Sequence, residues 1–369
     1  MPVRYLNLGG SRRLYETVFA GSHDASITSG SSYAQTQDLD IAGQADAGVR
    51  LFDLRILARK EGDTVKLVGY HGSPGGKETV NVKSPFKTDT QLTLKTNKKI
   101  SGEFGLGLGR MLKQARKFVE ATGEFLIFKF DKCTNYPLIA EFCVELLGDA
   151  IYKPIGKEFG KLKLDDLRQK VVCVFNHKEL GNMGDYTEAD GILGFRSLKG
   201  EKNSVGKYDP NFPGLQYYGK GGTNPFKFYQ TNKMKLKDNQ GIQEKMLLTM
   251  GAVEDDFAAN VLGMMYWTST GSVSSIRERN ENMMWGASGV RRMGELWREG
   301  LEASITTQLQ RDEIRFMKHG GVKRLKAYFP NIVMIDFADT DKCQAIYDLN
   351  TVADQRLITA YKTWKKTRQ

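Results

Sequence analysis

The chain has 369 residues, 40% of them hydrophobic and 26% charged, with a formal net charge of +11. That balance is one of a globular chain with a substantial core, and no apolar run is long enough to span a membrane. The start, Met1-Pro2-Val3-Arg4-Tyr5, lacks the basic and apolar regions of a secretory leader, so the chain is expected to be cytosolic, exported without a leader, or given in mature form. The positive charge suits an anionic partner: nucleic acid, an acidic membrane surface or a phosphorylated substrate.

Apolar, β-branched runs recur along the chain with long segments between them. The first, Thr17–Ala20, is followed by Ser22-His23-Asp24, and the second, Val49–Leu54, by Arg55. The third, Val65–Tyr70, leads into His71-Gly72 and a Gly-, Lys- and Thr-rich stretch to Gly109, read as a loop. Within it, Gly105-Leu106-Gly107-Leu108-Gly109-Arg110 reads as a flexible entry to a helix over Met111–Ala121, not as a phosphate-cradling loop. Phe125–Phe130 is the fourth strand, ending at Asp131-Lys132, and Leu138–Leu147 has helical spacing. Val171–Phe175 is the fifth, and Gly194–Thr223 reads as a second long loop. Phe226–Tyr229, Gly263–Thr268 and Ile332–Phe337 complete eight strands. Val290–Leu309 is an amphipathic helix, and a last helix is expected from about Thr351 to Trp364.

Most of these strands are continuous apolar runs, as strands buried on both faces are. Eight of them with intervening helices predict an irregular TIM-type (β/α)8 barrel filling residues 1–369 as one domain, with insertions near 72–109 and 194–223. The second and third strands stand too close for a helix between them. Cys133, Cys143, Cys173 and Cys343 show no metal-ligand spacing and read as buried free thiols.

Chemistry in such a barrel sits at the C-terminal strand ends. His23, Asp53, Arg55, His71 and Asp336 all fall at such ends. The last strand lies beside the first, so Asp336 can reach His23, orient its imidazole and raise its pKa. Asp24 can do the same for His71. Two imidazoles and a guanidinium supply a base, an acid and an anion clamp, the needs of a metal-free phosphodiester transfer.

The residues Ala20-Gly21-Ser22-His23-Asp24, Gln44 to Arg55 and Tyr70-His71-Gly72 resemble the X-domain of phosphatidylinositol-specific phospholipase C, and most closely its bacterial branch. The likeness is strong over residues 17 to 72 and weaker over most of the rest. It implies that His23, held by Asp336, takes the proton of the inositol 2-hydroxyl as general base. His71, held by Asp24, then protonates the leaving diacylglycerol, while Arg55, positioned by Asp53, stabilises the charge on phosphorus. The product is a cyclic inositol phosphate. Calcium-dependent members of the family carry an acid at the place of Arg55 and an Asn at that of Asp24, so no metal and no other cofactor is expected here.

For the headgroup, bacterial members use a Lys, an Arg, and an Asp with a Tyr after the fourth, fifth and sixth strands. Lys132 is the candidate after the fourth, but Asn176-His177-Lys178 offers no Arg, and Tyr229-Gln230-Thr231-Asn232 matches the third pattern poorly. Trp267 either lines the pocket as a stacking platform or fills the core; Tyr217, Tyr218 and Phe226 either pack in loops or meet a lipid interface. The expected partner is phosphatidylinositol or a similar anionic phospholipid at a membrane surface. The rivals are a related phosphodiesterase for another headgroup, such as a delivered toxin, and a barrel that binds anionic lipid without catalysis. Nucleic acid is disfavoured because no recognition helix or RNA-binding signature appears.

Overall fold

The computed structural model describes residues 2–62, 64–87, 90–156, 158–198, 208–220, 229–231, 234–239, 241–243, 261–269, 275–286 and 330–351. Eleven strands are described in chain order: β1 (Phe19–Ser22), β2 (Val49–Leu54), β3 (Ile56–Glu61), β4 (Thr64–Lys83), β5 (Gln91–Gly107), β6 (Leu126–Phe130), β7 (Val171–Asn176), β8 (Ile192–Ser197), β9 (Leu215–Lys220), β10 (Val261–Trp267) and β11 (Ile332–Ile335). Eight of them, β1, β2 and β6 to β11, close into one parallel barrel in which β11 pairs with β1. This is the TIM-type barrel expected from the sequence.

Two of its members differ from the expected set. Val65–Tyr70 is a strand, but it lies in the small antiparallel sheet of β3, β4 and β5. A parallel return needs a crossover of a dozen or more residues, whereas Ile56–Glu61 turns straight back on itself through a hairpin. The stretch 72–109, expected to be a loop, forms most of two long strands and the start of the next helix. The glycine-rich stretch 194–223 holds most of β8 and all of β9. Glycine suits these strands because their neighbours come close: a Cβ on Gly214 would run into the Gly194 carbonyl. Phe226–Lys227–Phe228, His319, Val290–Leu309 and the last helix beyond residue 351 lie outside the described residues. A helix is present at 340–351.

The helices α1 (Ile41–Ala47), α2 (Leu108–Thr122) and α3 (Tyr136–Leu147) pack outside the barrel. Asp40 caps α1 by accepting from the Gly43 amide at 3.1 Å. Helix α2 buries Leu108, Met111, Leu112, Ala115, Phe118 and Val119 at three- and four-residue spacing and stops at Gly123, whose φ is 77°. All four cysteines are free and buried.

Strand register divides the barrel residues between an inner and an outer face. Asp53 pairs with Lys129, and Lys129 lies 4.5 Å over the Phe195 ring, two strands away, so this face is the inside. Phe52 and Phe128, one residue earlier on each strand, point outward and meet edge to face at 5.4 Å. A buried ion pair lies on the outer face of β2, beneath α1 and α2. Arg50 Nε meets Glu124 Oε2 at 3.0 Å, and its guanidinium also donates to the carbonyls of Ala45, Val49 and Val3. Glu124 in turn accepts from the Leu6 amide.

Candidate active site

Strand β1 ends in a backbone that is bolted on both sides. The His23 amide donates to the Ile335 carbonyl at 3.0 Å, and the Ala25 amide to the Asp53 carbonyl at 2.9 Å. Gln37 fastens this corner again, donating to the His23 carbonyl and accepting from the Ala338 amide. Asp24, between the two anchors, has φ of 43°, a left-handed turn that Asp tolerates better than most residues. Its carboxylate is 1% exposed.

Three side chains converge on that carboxylate. His23 Nε2 and His71 Nε2 each lie 3.6 Å from Asp24 Oδ2, and Arg55 Nε lies 3.1 Å from Oδ1. Among the described residues neither Asp24 oxygen has an aligned hydrogen bond, so the carboxylate is held by charge. His23 is oriented from its other side: Nδ1 donates to Asp336 Oδ1 at 2.9 Å. Asp336 is fully buried, and Asn280 donates to its second oxygen at 3.1 Å. Among the described residues, His71 Nδ1 has no hydrogen-bond partner.

His71 reaches the site from β4, in the middle of the strand, and so does not close a barrel strand as expected. Arg55 connects β2 to β3, and its carbonyl accepts from the Tyr70 amide at 3.0 Å, which sets His71 beside the guanidinium. Opposite His71 the two strands nearly touch. Gly72 (φ 117°) faces Gly102 (φ 152°), and a Cβ on Gly102 would run into the His71 carbonyl.

The charges shift one another. Burial opposes the charge on His23, but Asp24 and then Asp336 outweigh it and raise its pKa to about 9. Burial lowers the His71 pKa, with Arg55 and His23 adding to the effect against the pull of Asp24. In the resting protein at neutral pH, His23 is therefore an imidazolium and His71 a neutral imidazole. Arg55 is raised, Asp24 and then Asp53 overcoming its burial.

Asp53 occupies a different place from the one expected. It does not bond to Arg55; it accepts from Lys129 Nζ at 2.8 Å, inside the barrel mouth. Lys129 is 3% exposed, and its pKa is raised because Asp53, then Tyr217 and Tyr266, more than offset its burial. Lys129 went unread in the sequence. A lysine inside the buried run Phe125–Phe130 was the available signal.

The expected substrate-contacting residues take different positions. Lys132 lies past the end of β6, exposed, with φ of 54° and its carbonyl accepting from Tyr70. Trp267 is fully buried and donates to the Met284 carbonyl at 3.1 Å, so it fills the core on the outer face of β10. Its neighbour Tyr266 takes the inward position, because side chains alternate along a strand. Tyr229 lies in a turn and is 79% exposed. Tyr217 and Tyr218, expected in a loop, are on β9, with Tyr217 6% exposed and near Lys129.

His23, Asp24 and Asp53 also bring ligand atoms within 4.8 Å of one another, the spacing of a cation site. Two side-chain cations already serve those acids, Arg55 on Asp24 and Lys129 on Asp53.

The molecule is thus a closed parallel barrel with a His–Asp–Arg cluster at its C-terminal mouth. No protein-family model and no curated protein matches the chain. Among solved structures it is similar to a phosphatidylinositol-specific phospholipase C from Listeria monocytogenes, with a TM-score of 0.50 and 15% identity over 92% of this chain and 94% of that one. It is similar also to the phosphatidylinositol-specific phospholipase C of S. aureus, with a TM-score of 0.51 and 14% identity over 92% and 95% of the two chains. At these identities the likeness is one of fold: the chain has the barrel architecture of bacterial phosphatidylinositol-specific phospholipases C.

Proposed function

We propose that the protein is a metal-independent phosphodiesterase of the phospholipase C kind, cleaving phosphatidylinositol at a membrane surface to diacylglycerol and a cyclic inositol phosphate. The observation that carries this reading is the convergence of His23, His71 and Arg55 on the buried Asp24. One imidazole takes the proton of the inositol 2-hydroxyl. That oxygen bonds to phosphorus, the phosphorus–glycerol bond breaks, and the second imidazole gives a proton to the departing oxygen. Arg55 lies where it can stabilise negative charge building on the phosphoryl oxygens. Water then opens the cyclic ester with the proton transfers reversed.

The His23–Asp336 pair has the form of an oriented base, the other nitrogen of His23 facing the cluster. With a pKa of about 9, His23 must first lose its resting proton, so turnover rises with pH toward that value. The resting charges favour a second assignment, in which the His23 imidazolium is the acid and neutral His71 the base. A substrate with a p-nitrophenol leaving group separates the two, because that group departs without protonation. The histidine that can be replaced by Ala at little cost with this substrate is the acid.

Metal independence follows in the proposal from Arg55 and Lys129, which neutralise the acids a divalent ion would need. Phosphorus NMR of products from phosphatidylinositol vesicles in chelator tests the whole reading. A cyclic phosphate signal is expected, falling at least 10²-fold in His23→Ala or His71→Ala. Turnover only on adding calcium would overturn the metal-free reaction. No turnover on any inositol lipid would move the search to other headgroups that carry a hydroxyl beside the phosphate.

A further inference from the structure

The β4–β5 hairpin has two unlike faces. On one, the register sets Val80 against Leu94, Val82 against Leu92 and Glu78 against Thr96, and the apolar members pack toward the body. On the other, Thr79 faces Lys95, Asn81 faces Thr93, Lys83 faces Gln91 and Lys99 faces Gly75. Lys77 belongs to this second face by alternation, and Lys77, Lys83, Lys95 and Lys99 are all exposed.

Charge is sorted between lysines. Lys60 and Lys98 are neutralised by Glu78, Lys66 by Glu61, and Lys87 approaches Glu141. No carboxylate among the described residues lies within 4.0 Å of Lys77, Lys83, Lys95 or Lys99. The row is also fixed in place. Asn135 brackets the Lys95 backbone, donating to its carbonyl at 2.9 Å and accepting from its amide at 2.8 Å. At the far end Ser84 donates to Glu141, and Phe86 meets Phe142 edge to face at 4.9 Å. At the near end the Leu106 amide donates to the Ser26 carbonyl.

We propose that this lysine face is a docking surface for the anionic headgroups of a lipid bilayer. The proposal rests on the reading of the site as acting on a phospholipid. Four cations on one fixed face fit a plane of negative charge, which requires neither fork geometry nor stacking. The face carries no Arg and no aromatic ring, the side chains that grip polynucleotide bases.

The test is cosedimentation with vesicles of phosphatidylcholine, with and without a fraction of phosphatidylserine, whose headgroup carries no hydroxyl beside the phosphate. Three proteins are compared: wild type, K77Q/K83Q/K95Q/K99Q, and the equal-charge control K113Q/K117Q/K153Q/K163Q, altered at exposed lysines elsewhere. Wild type is expected to bind the anionic vesicles and to lose them in high salt. The hairpin variant should bind at least about tenfold more weakly, each lysine at the surface contributing about fivefold, and the control within about twofold of wild type. Thermal unfolding checks that each variant is folded, with K83Q/K95Q as a milder substitute. Hydrolysis of soluble cyclic inositol phosphate should be equal in wild type and the hairpin variant. If wild type lacks that hydrolysis but binding still depends on the four lysines, the catalytic reading fails and the docking surface stands. Equal losses in the hairpin variant and the control, or no loss, overturn the docking surface. So does a variant that loses duplex DNA but keeps vesicles.

Discussion

Asp24 balances most of the charge at the mouth, facing two imidazoles and a guanidinium at once. Asp24→Asn is expected to lower kcat by roughly 10²–10⁴ with little change in unfolding temperature, because it misaligns three groups together. Stability and pH are linked through His23. Its folded pKa, about 9, lies above the ordinary value of 6.5, so folding favours the protonated form. The resulting stabilisation is fully present below pH 6.5 and disappears as pH rises toward 9. Denaturant unfolding of wild type and His23→Gln should therefore converge over that window, by roughly 2–3 kcal/mol. Divergence with rising pH would contradict the raised pKa. These residues were legible in the sequence because each is a polar group set at the end of an apolar run. Lys129 and Tyr266 were not, because which face of a strand points inward depends on register with strands far away in the chain.

The hairpin is the element that the sequence disclosed least. The close spacing of Leu54 and Val65 correctly implied an irregularity, and antiparallel return is its cause. Thr79-Val80-Asn81-Val82 and Leu92-Thr93-Leu94-Lys95 do alternate polar and apolar residues, but the many glycines and lysines around them read as loop. Those glycines let the hairpin lie close to the β1 corner and to itself. Gly102→Ala is expected to destabilise the protein by about 1–3 kcal/mol and to depress turnover by displacing His71. Gly62→Ala, with φ of 57° and open space around it, should cost about 1 kcal/mol and leave turnover unchanged. Thermal unfolding and product formation measured on both variants decide the matter, and equal turnover loss in the two would detach the glycine pair from His71.

Across the whole molecule, the buried Arg50–Glu124 pair ties the outer face of β2 to the segment before β6, and the His–Asp–Arg cluster occupies the C-terminal mouth. Glu124→Ala leaves Arg50 buried without its counter-charge and should cost about 3–5 kcal/mol, while Arg50→Met with Glu124→Leu should cost less than the sum of the separate changes. Denaturant midpoints of these two variants and of the single Arg50→Met and Glu124→Leu changes measure this. The barrel itself was legible from its buried parallel runs; β8 and β9 were hidden because short, glycine-rich strands look like their own connections. The seam where the barrel closes has a further consequence. His23 on the first strand and Asp336 after the last are 313 residues apart, joined only when β11 pairs with β1. A chain still on the ribosome, or cut short before that strand, lacks the oriented imidazole however much of the barrel has formed. Synthesis as far as β11 is therefore a condition of the chemistry.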